Sequence, residues 1–167
     1  MYKQVSIWIG LLVLAVCVVL WFFAATLDNP RAVVSPAPTN LPMTTVTIGT
    51  DSTSSPQATI QVEVASTPAQ RQLGLSGRAS LAAGKGMLFV FTQPNEHGFW
   101  MKDMHFSIDI IWADSAGVIT TIAHDISPST YPQAFYPNEP AFYVLEVPSG
   151  FAKAHDIAVG GKIMVSN

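Results

Sequence analysis

Two carboxylates stand where carboxylates are costly. Asp109 lies between Ile108 and Ile110, and Glu146 between Leu145 and Val147, while Lys102 directly follows Phe99-Trp100-Met101. If these stretches are strands, alternation turns each carboxylate to one face of a sheet or the other. One facing inward cannot stay ionised alone, because desolvation costs several kcal/mol. Its partners must come from Arg71, Arg78, Lys85, Lys102, Lys153 and Lys162. An arginine fork can grip a carboxylate through two parallel hydrogen bonds, and a tryptophan offers a stacking face. The candidate ligand-binding group is Arg71, Arg78, Trp100, Lys102, Asp109 and Glu146. In it Arg71 or Arg78, with Lys102, faces both carboxylates near Trp100. Such a cluster has two uses. It can be a structural ion-pair network that fixes how a helix docks on the sheet, or a pocket for a ligand. In an enzyme, Asp109 and Glu146 would serve as acid and base with a cation tuning them.

Other chemistries are harder to build. His97, His105, His124 and His155 have Glu96, Asp103 and Asp125 near them, but no pair has tight metal-ligand spacing. No metal or other cofactor is expected. Gly74-Leu75-Ser76-Gly77 begins like a nucleophile elbow, yet Arg78 stands where the last glycine is required. Gly84-Lys85-Gly86 is far short of a phosphate-binding loop. The single cysteine, Cys17, lies in an apolar run, so the rest of the chain has no thiol nucleophile and no disulfide. No catalytic residue can be named. A net charge of −3 offers no basic field for nucleic acid.

The elements that must position these residues are mostly strands. Thr59 to Val64 alternates apolar and polar, the period of a half-buried strand. Ser66-Thr67-Pro68 supplies a cap and a helix-starting proline, and Gly74 a stop, which predicts a short helix from Pro68 to Leu73. Strands are then expected at Met87–Phe91, Phe99–Met101, Ile108–Trp112, Val118–Ile122, Phe142–Val147 and Lys162–Val165. Prolines 128, 132, 137 and 140 make the stretch between His124 and Ala141 irregular. The spacing predicts a mainly β domain, a compact antiparallel sandwich or barrel-like fold with one or two short helices.

Ahead of that domain the composition changes twice. Val5 to Ala25 carries no charge and is long enough to span a bilayer as a helix. Residues 1–27 are read as a single transmembrane anchor that is not cleaved, since the run exceeds the usual apolar region of a signal peptide. Lys3 precedes it, while Asp28 and Arg31 roughly cancel after it, which places the N-terminus in the cytoplasm and the rest outside. Residues 28–57 are Pro-, Ser- and Thr-rich and read as a disordered stalk, within which Val46 and Ile48 could add a short strand. The folded domain is expected over 58–167. The partners expected are the membrane, through the first helix, and a small molecule or an envelope protein.

The ordered residues also match a known pattern. Arg71-Gln72-Leu73-Gly74-Leu75 with Arg78, Gly86 to Phe91, Phe99 to Lys102, Asp109 within SIDIIW, Tyr143 to Glu146 with Pro148 and Gly150, and Gly160 resemble the domain of unknown function 192 family. The match runs over nearly all of Gln61 to Val165. The resemblance implies a compact mainly β fold, commonly exported or membrane-anchored, and no particular reaction. The chain departs from the family at Ser107-Ile108, where Pro-Leu is usual, and lacks the cysteines some members carry after Pro128. Three functions stay open: a binding module with a small polar pocket, an acid–base enzyme, and a domain that assists envelope proteins through its long loop.

Overall fold

A computed structural model describes residues 41–50 and 56–166. Among these, no helix is long and apolar enough to cross a membrane, and the apolar run Val5–Ala25 lies outside them.

Among the described residues, nine strands and two short α-helices follow in the order β1 (Met43–Gly49), β2 (Ala58–Ala65), α1 (Pro68–Leu73), β3 (Lys85–Asn95), β4 (Phe99–Trp100), β5 (Ile108–Ala113), β6 (Ile119–Ile126), β7 (Ala134–Phe135), β8 (Ala141–Pro148), α2 (Phe151–Ala154) and β9 (Lys162–Val165), with a 3-10 turn at Pro128–Thr130. Seven strands form one sheet in the order β6-β5-β8-β3-β2-β1-β9, while β4 and β7 make a separate pair. Of the two expected forms, sandwich and barrel-like, the seven-stranded sheet takes the second, curling on itself as a half-barrel. The expectation of an all-antiparallel arrangement is corrected, because β2 and β3 run parallel. Helix α1 and the loop after it provide the crossover that a parallel pair requires.

The sheet curls until its two edges touch. Val118, just before β6, bridges to Lys162 at the start of β9. Ile119 N–H donates to the Gly161 carbonyl at 2.8 Å, and Ile163 N–H to the Gly117 carbonyl at 2.7 Å. Gly117 sits at φ +81°, and a Cβ there would fall 2.3 Å from the Ile163 carbonyl oxygen. Only glycine suits both the turn and the contact.

β1 corrects the boundary drawn from composition. The stretch 43–49 falls within the residues read as stalk, yet it pairs with β2 on one side and β9 on the other. Val46 and Ile48 are fully buried. Threonines and valine make this a good strand sequence once tertiary partners exist.

Curling gives the sheet two apolar faces and hence two cores. The inner face packs Val46, Ile60, Val62, Leu88, Ile111, Leu145 and Val147 against Ala152 and Ile157 from the region of α2. The outer face, over β3, β8 and β5, carries Met87, Phe89, Ile110, Trp112 and Val144, covered by Leu75, Met101 and Met104. Fully burying each large side chain contributes about 1.5–3 kcal/mol.

Candidate functional site

Register decides which carboxylate meets which neighbours. In the antiparallel pair of β5 and β8, Ile110 stands opposite Glu146 and Asp109 opposite Val147. Paired residues share a face and consecutive ones alternate, so Glu146 joins the outer face and Asp109 the inner one. Glu63, Met87, Glu146 and Ile110 form one row across β2, β3, β8 and β5.

Asp109 is fully buried, and its two oxygens are engaged by the backbone. Oδ1 accepts from the N–H groups of Asp125 at 2.8 Å and Gly150 at 3.2 Å, and Oδ2 from that of Ala152 at 2.9 Å. The carboxylate thus holds the end of β6 and the entry to α2 in place. Gly150 is the N-cap of α2 and brings no side chain of its own, so Asp109 supplies the acceptor from a neighbouring strand. A more open hollow of about 630 Å³ lies here beside Asp125, Ser149, Lys153 and Asp156.

On the outer face the geometry is different. A cavity of about 270 Å³ opens between the C-terminal part of α1 and the turn that leads into β4. One wall is Arg71 to Ser76 and the other His97 to Trp100 with Met104, while Phe89, Phe91 and Glu146 lie beneath.

Local sequence chemistry sets the walls. Thr67 caps α1 through a reciprocal box with Gln70: Gln70 N–H donates to Thr67 Oγ1, and Gln70 Oε1 accepts from Thr67 N–H. At its other end Gly74, at φ +52°, turns the chain so closely over the sheet that a Cβ would lie 3.3 Å from the Phe89 ring. Ser76 Oγ donates to the Lys102 carbonyl at 2.9 Å, and Gly77 N–H to that of Asp103 at 2.8 Å, tying the first wall to the 101–104 segment. The opposite wall hangs on Trp112, whose buried indole N–H donates to the His97 carbonyl at 3.0 Å. Phe99 packs edge-on against Phe89, with centroids 4.8 Å apart.

Glu146 is 5% exposed, and its Oε2 has no hydrogen-bond partner among the described residues. Burial pushes its carboxyl up to about 8, against a smaller opposing pull from Arg78. At neutral pH it is mainly the uncharged acid. Arg78 itself grips Glu63, its Nη1 and Nη2 donating to the two carboxylate oxygens at 2.5 and 2.7 Å. That fork holds the Glu63 carboxyl below its usual range and raises Arg78.

Arg71 donates through Nη1 to the Ser66 carbonyl and to that of Val90 at 3.0 Å. Its guanidinium lies 4.9 Å from the centre of the Phe91 ring, and His97 stacks on that ring at 3.4 Å. Burial lowers the His97 pKa, Arg71 pushes the same way, and a hydrogen bond with the Gln93 carbonyl acts against them.

The six residues singled out from the sequence therefore divide. Arg71, Trp100 and Glu146 line one cavity, and Arg78 stands beside Glu146 but is paired with Glu63. Lys102 is exposed and outside that lining. Asp109 faces the other side of the sheet, so the expected meeting of both carboxylates with the cations does not occur. It follows that Asp109 and Glu146 cannot act as acid and base on one bound molecule. His97, Phe89, Phe91, Phe99 and Leu75 were not foreseen as lining residues. The spacing of Phe89 and Phe91 on one strand face was the available signal.

Fold and cavity define a small mainly β domain whose curled sheet carries an aromatic-walled cavity on its outer face. The chain belongs to the domain of unknown function 192 family, described as "Uncharacterized ACR", whose pattern matches residues 50–165. The fold is similar to that of a Sinorhizobium meliloti protein described as a candidate transcription regulator, with 27% identity and a TM-score of 0.71 over 77% of this chain and 98% of that one. A Novosphingobium aromaticivorans protein of unknown function is similar at 28% identity and a TM-score of 0.70, over 78% and 90% of the two chains. No protein among curated ones matches this chain.

Proposed function

We propose that this chain is a binding module that takes a small ligand into the outer-face cavity, carried outside the cytoplasm on an N-terminal membrane anchor. One observation carries the binding reading: a buried carboxyl with an unpartnered oxygen at the base of a cavity. Leaving a buried polar atom unsatisfied costs about 1–3 kcal/mol, and an apolar residue there would avoid the cost. A ligand that completes the hydrogen bond gives that cost a purpose. Convergence of a few polar groups in a mostly apolar cavity is the general form of a small-molecule site. The anchor rests on the uncharged run Val5–Ala25 and the charge asymmetry around it. The regulator description of the Sinorhizobium protein is not carried over, because a chain of net charge −3 gains nothing from the phosphate backbone.

The test is a screen of small-molecule mixtures against the full chain labelled with ¹³C at its methionine methyl groups. Met104 lines the cavity and reports occupancy, while Met164 lies outside the lining and serves as reference. Hits should move the Met104 signal in the native chain and lose that effect in Glu146→Met. A screen in which no compound moves Met104 would sink the reading.

A further inference from the structure

We infer that the cavity takes a small carboxylate carried on an apolar or aromatic body, with Arg71 meeting the carboxylate and the aromatic walls holding the body. This rests on the binding reading above and names the class of ligand.

The charge inventory of the cavity points to an anion. Among the described residues the one ion pair is Arg78 with Glu63, so Arg71 lines the cavity without a carboxylate partner. Both hydrogen bonds of Arg71 leave from Nη1 and end on backbone carbonyls. They fix the guanidinium against Phe91, while Nη2 and Nε keep donors for another acceptor. A preset guanidinium plane is suited to a carboxylate, which it can meet with two parallel bonds.

The remaining titratable groups do not cancel that charge near neutral pH. Glu146 is buried as the acid, and burial shifts His97 toward its neutral form; a histidine in either form brings no negative charge. Behind Glu146, Arg78 is compensated by Glu63. An amine would meet the Arg71 cation with no ionised carboxylate in the lining to offset it, whereas an anion meets it unopposed. The protonated Glu146 can add an O–H donor to a ligand oxygen.

Shape and surface point to the body. Leu75, Phe89, Phe91, Phe99, Trp100 and Met104 supply apolar wall. The volume of about 270 Å³ falls just under the roughly 300–1,000 Å³ of pockets that hold drug-sized ligands. One ring with a short acidic arm suits that space. Once Glu146 ionises above its value of about 8, it adds a negative charge beside the ligand and weakens binding.

The probes are benzoate, benzamide and benzylamine, one ring with negative, neutral and positive heads. Each is titrated at pH 6.5 against the full chain with labelled methionine methyls, and benzoate again at pH 9.5. Benzoate should shift Met104 saturably and bind at least about tenfold tighter than the other two, with a weaker response at pH 9.5. Arg71→Met should abolish that preference, and Arg71→Lys, which keeps the charge without the fork, should retain part of it. An unmoved Met164 signal in both variants shows that the fold survives. Benzamide or benzylamine binding as well as benzoate, or Arg71→Met leaving benzoate binding unchanged, overturns the anion assignment and leaves the cavity as a binding site. Silence of Met104 toward all three probes also overturns it, and the wider screen then decides whether the binding reading survives.

Discussion

Asp109 and Glu146 sit one register step apart on neighbouring strands, yet project from opposite faces of the same sheet. That single step gives them unrelated surroundings. Asp109 is surrounded by backbone N–H groups, and Glu146 by apolar walls and an unfilled hydrogen-bond position. The same residue class therefore does two jobs, one in holding the chain together and one in the cavity.

Stability should fall with rising pH because of Glu146. Unfolded, its carboxyl titrates near 4.5; folded, burial pushes it up to about 8. Below the lower value both states hold the proton, and the favourable contribution is fully present. Between the two values the folded chain keeps a proton that the unfolded chain has released. Stability is then lost by up to about 1.4 kcal/mol per pH unit until the loss is complete above pH 8. Glu63 contributes with the opposite sign: its lowered value adds stability above the ordinary carboxylate range, which is lost in acid. Denaturant titrations from pH 5 to 9 should show a downward slope in the native chain and a flatter one in Glu146→Gln. Equal slopes would show that Glu146 is not buried as the acid.

Replacing Asp109 by Asn should act on the fold and leave the cavity alone. The amide cannot accept from all three N–H groups, and its NH₂ would face one of these donors. A loss of about 2–4 kcal/mol is expected on thermal or denaturant unfolding. Ligand-induced shifts at Met104 should be preserved below the melting temperature. Loss of those shifts in a folded variant would mean that the two faces are coupled.

Folding of the domain is expected to require β1. A fragment covering 58–167 lacks the strand that lies between β2 and β9, and strips partners from both. It should be aggregated or unfolded by circular dichroism, while a fragment covering 41–167 should melt cooperatively. Cooperative melting of the shorter piece would show β1 to be dispensable.

The proposed orientation can be read directly. Ser129 is exposed in the turn Pro128–Thr130. In Ser129→Cys a membrane-impermeant maleimide should label the chain in intact spheroplasts. Labelling only after the membrane is broken would place the domain on the other side.

Much of the fold was legible because its strands carry their own periodicity. Thr59 to Val64 alternates, and the cap at Thr67 with Pro68 and Gly74 brackets α1 at the residues where it starts and stops. Strand β1 was obscured by its company, since the proline-rich stretch before it masks a good strand sequence. The parallel pairing of β2 and β3 depends on how α1 crosses the sheet, which no local pattern states. In the candidate site, the charged residues drew notice by standing among apolar ones. Their face could not be fixed, because alternation within β5 and β8 says nothing of the register between them. Glu63 as the partner of Arg78 belongs to the same class of unreadable facts, being set by strand order.

Because β1 is flanked on both sides, the N-terminal entry to the domain is not an edge. A pull arriving from the preceding chain loads the ladders to β2 and β9 together, instead of peeling one strand from a margin. The domain meets tension at a place where two rows of bonds must yield before any strand comes away.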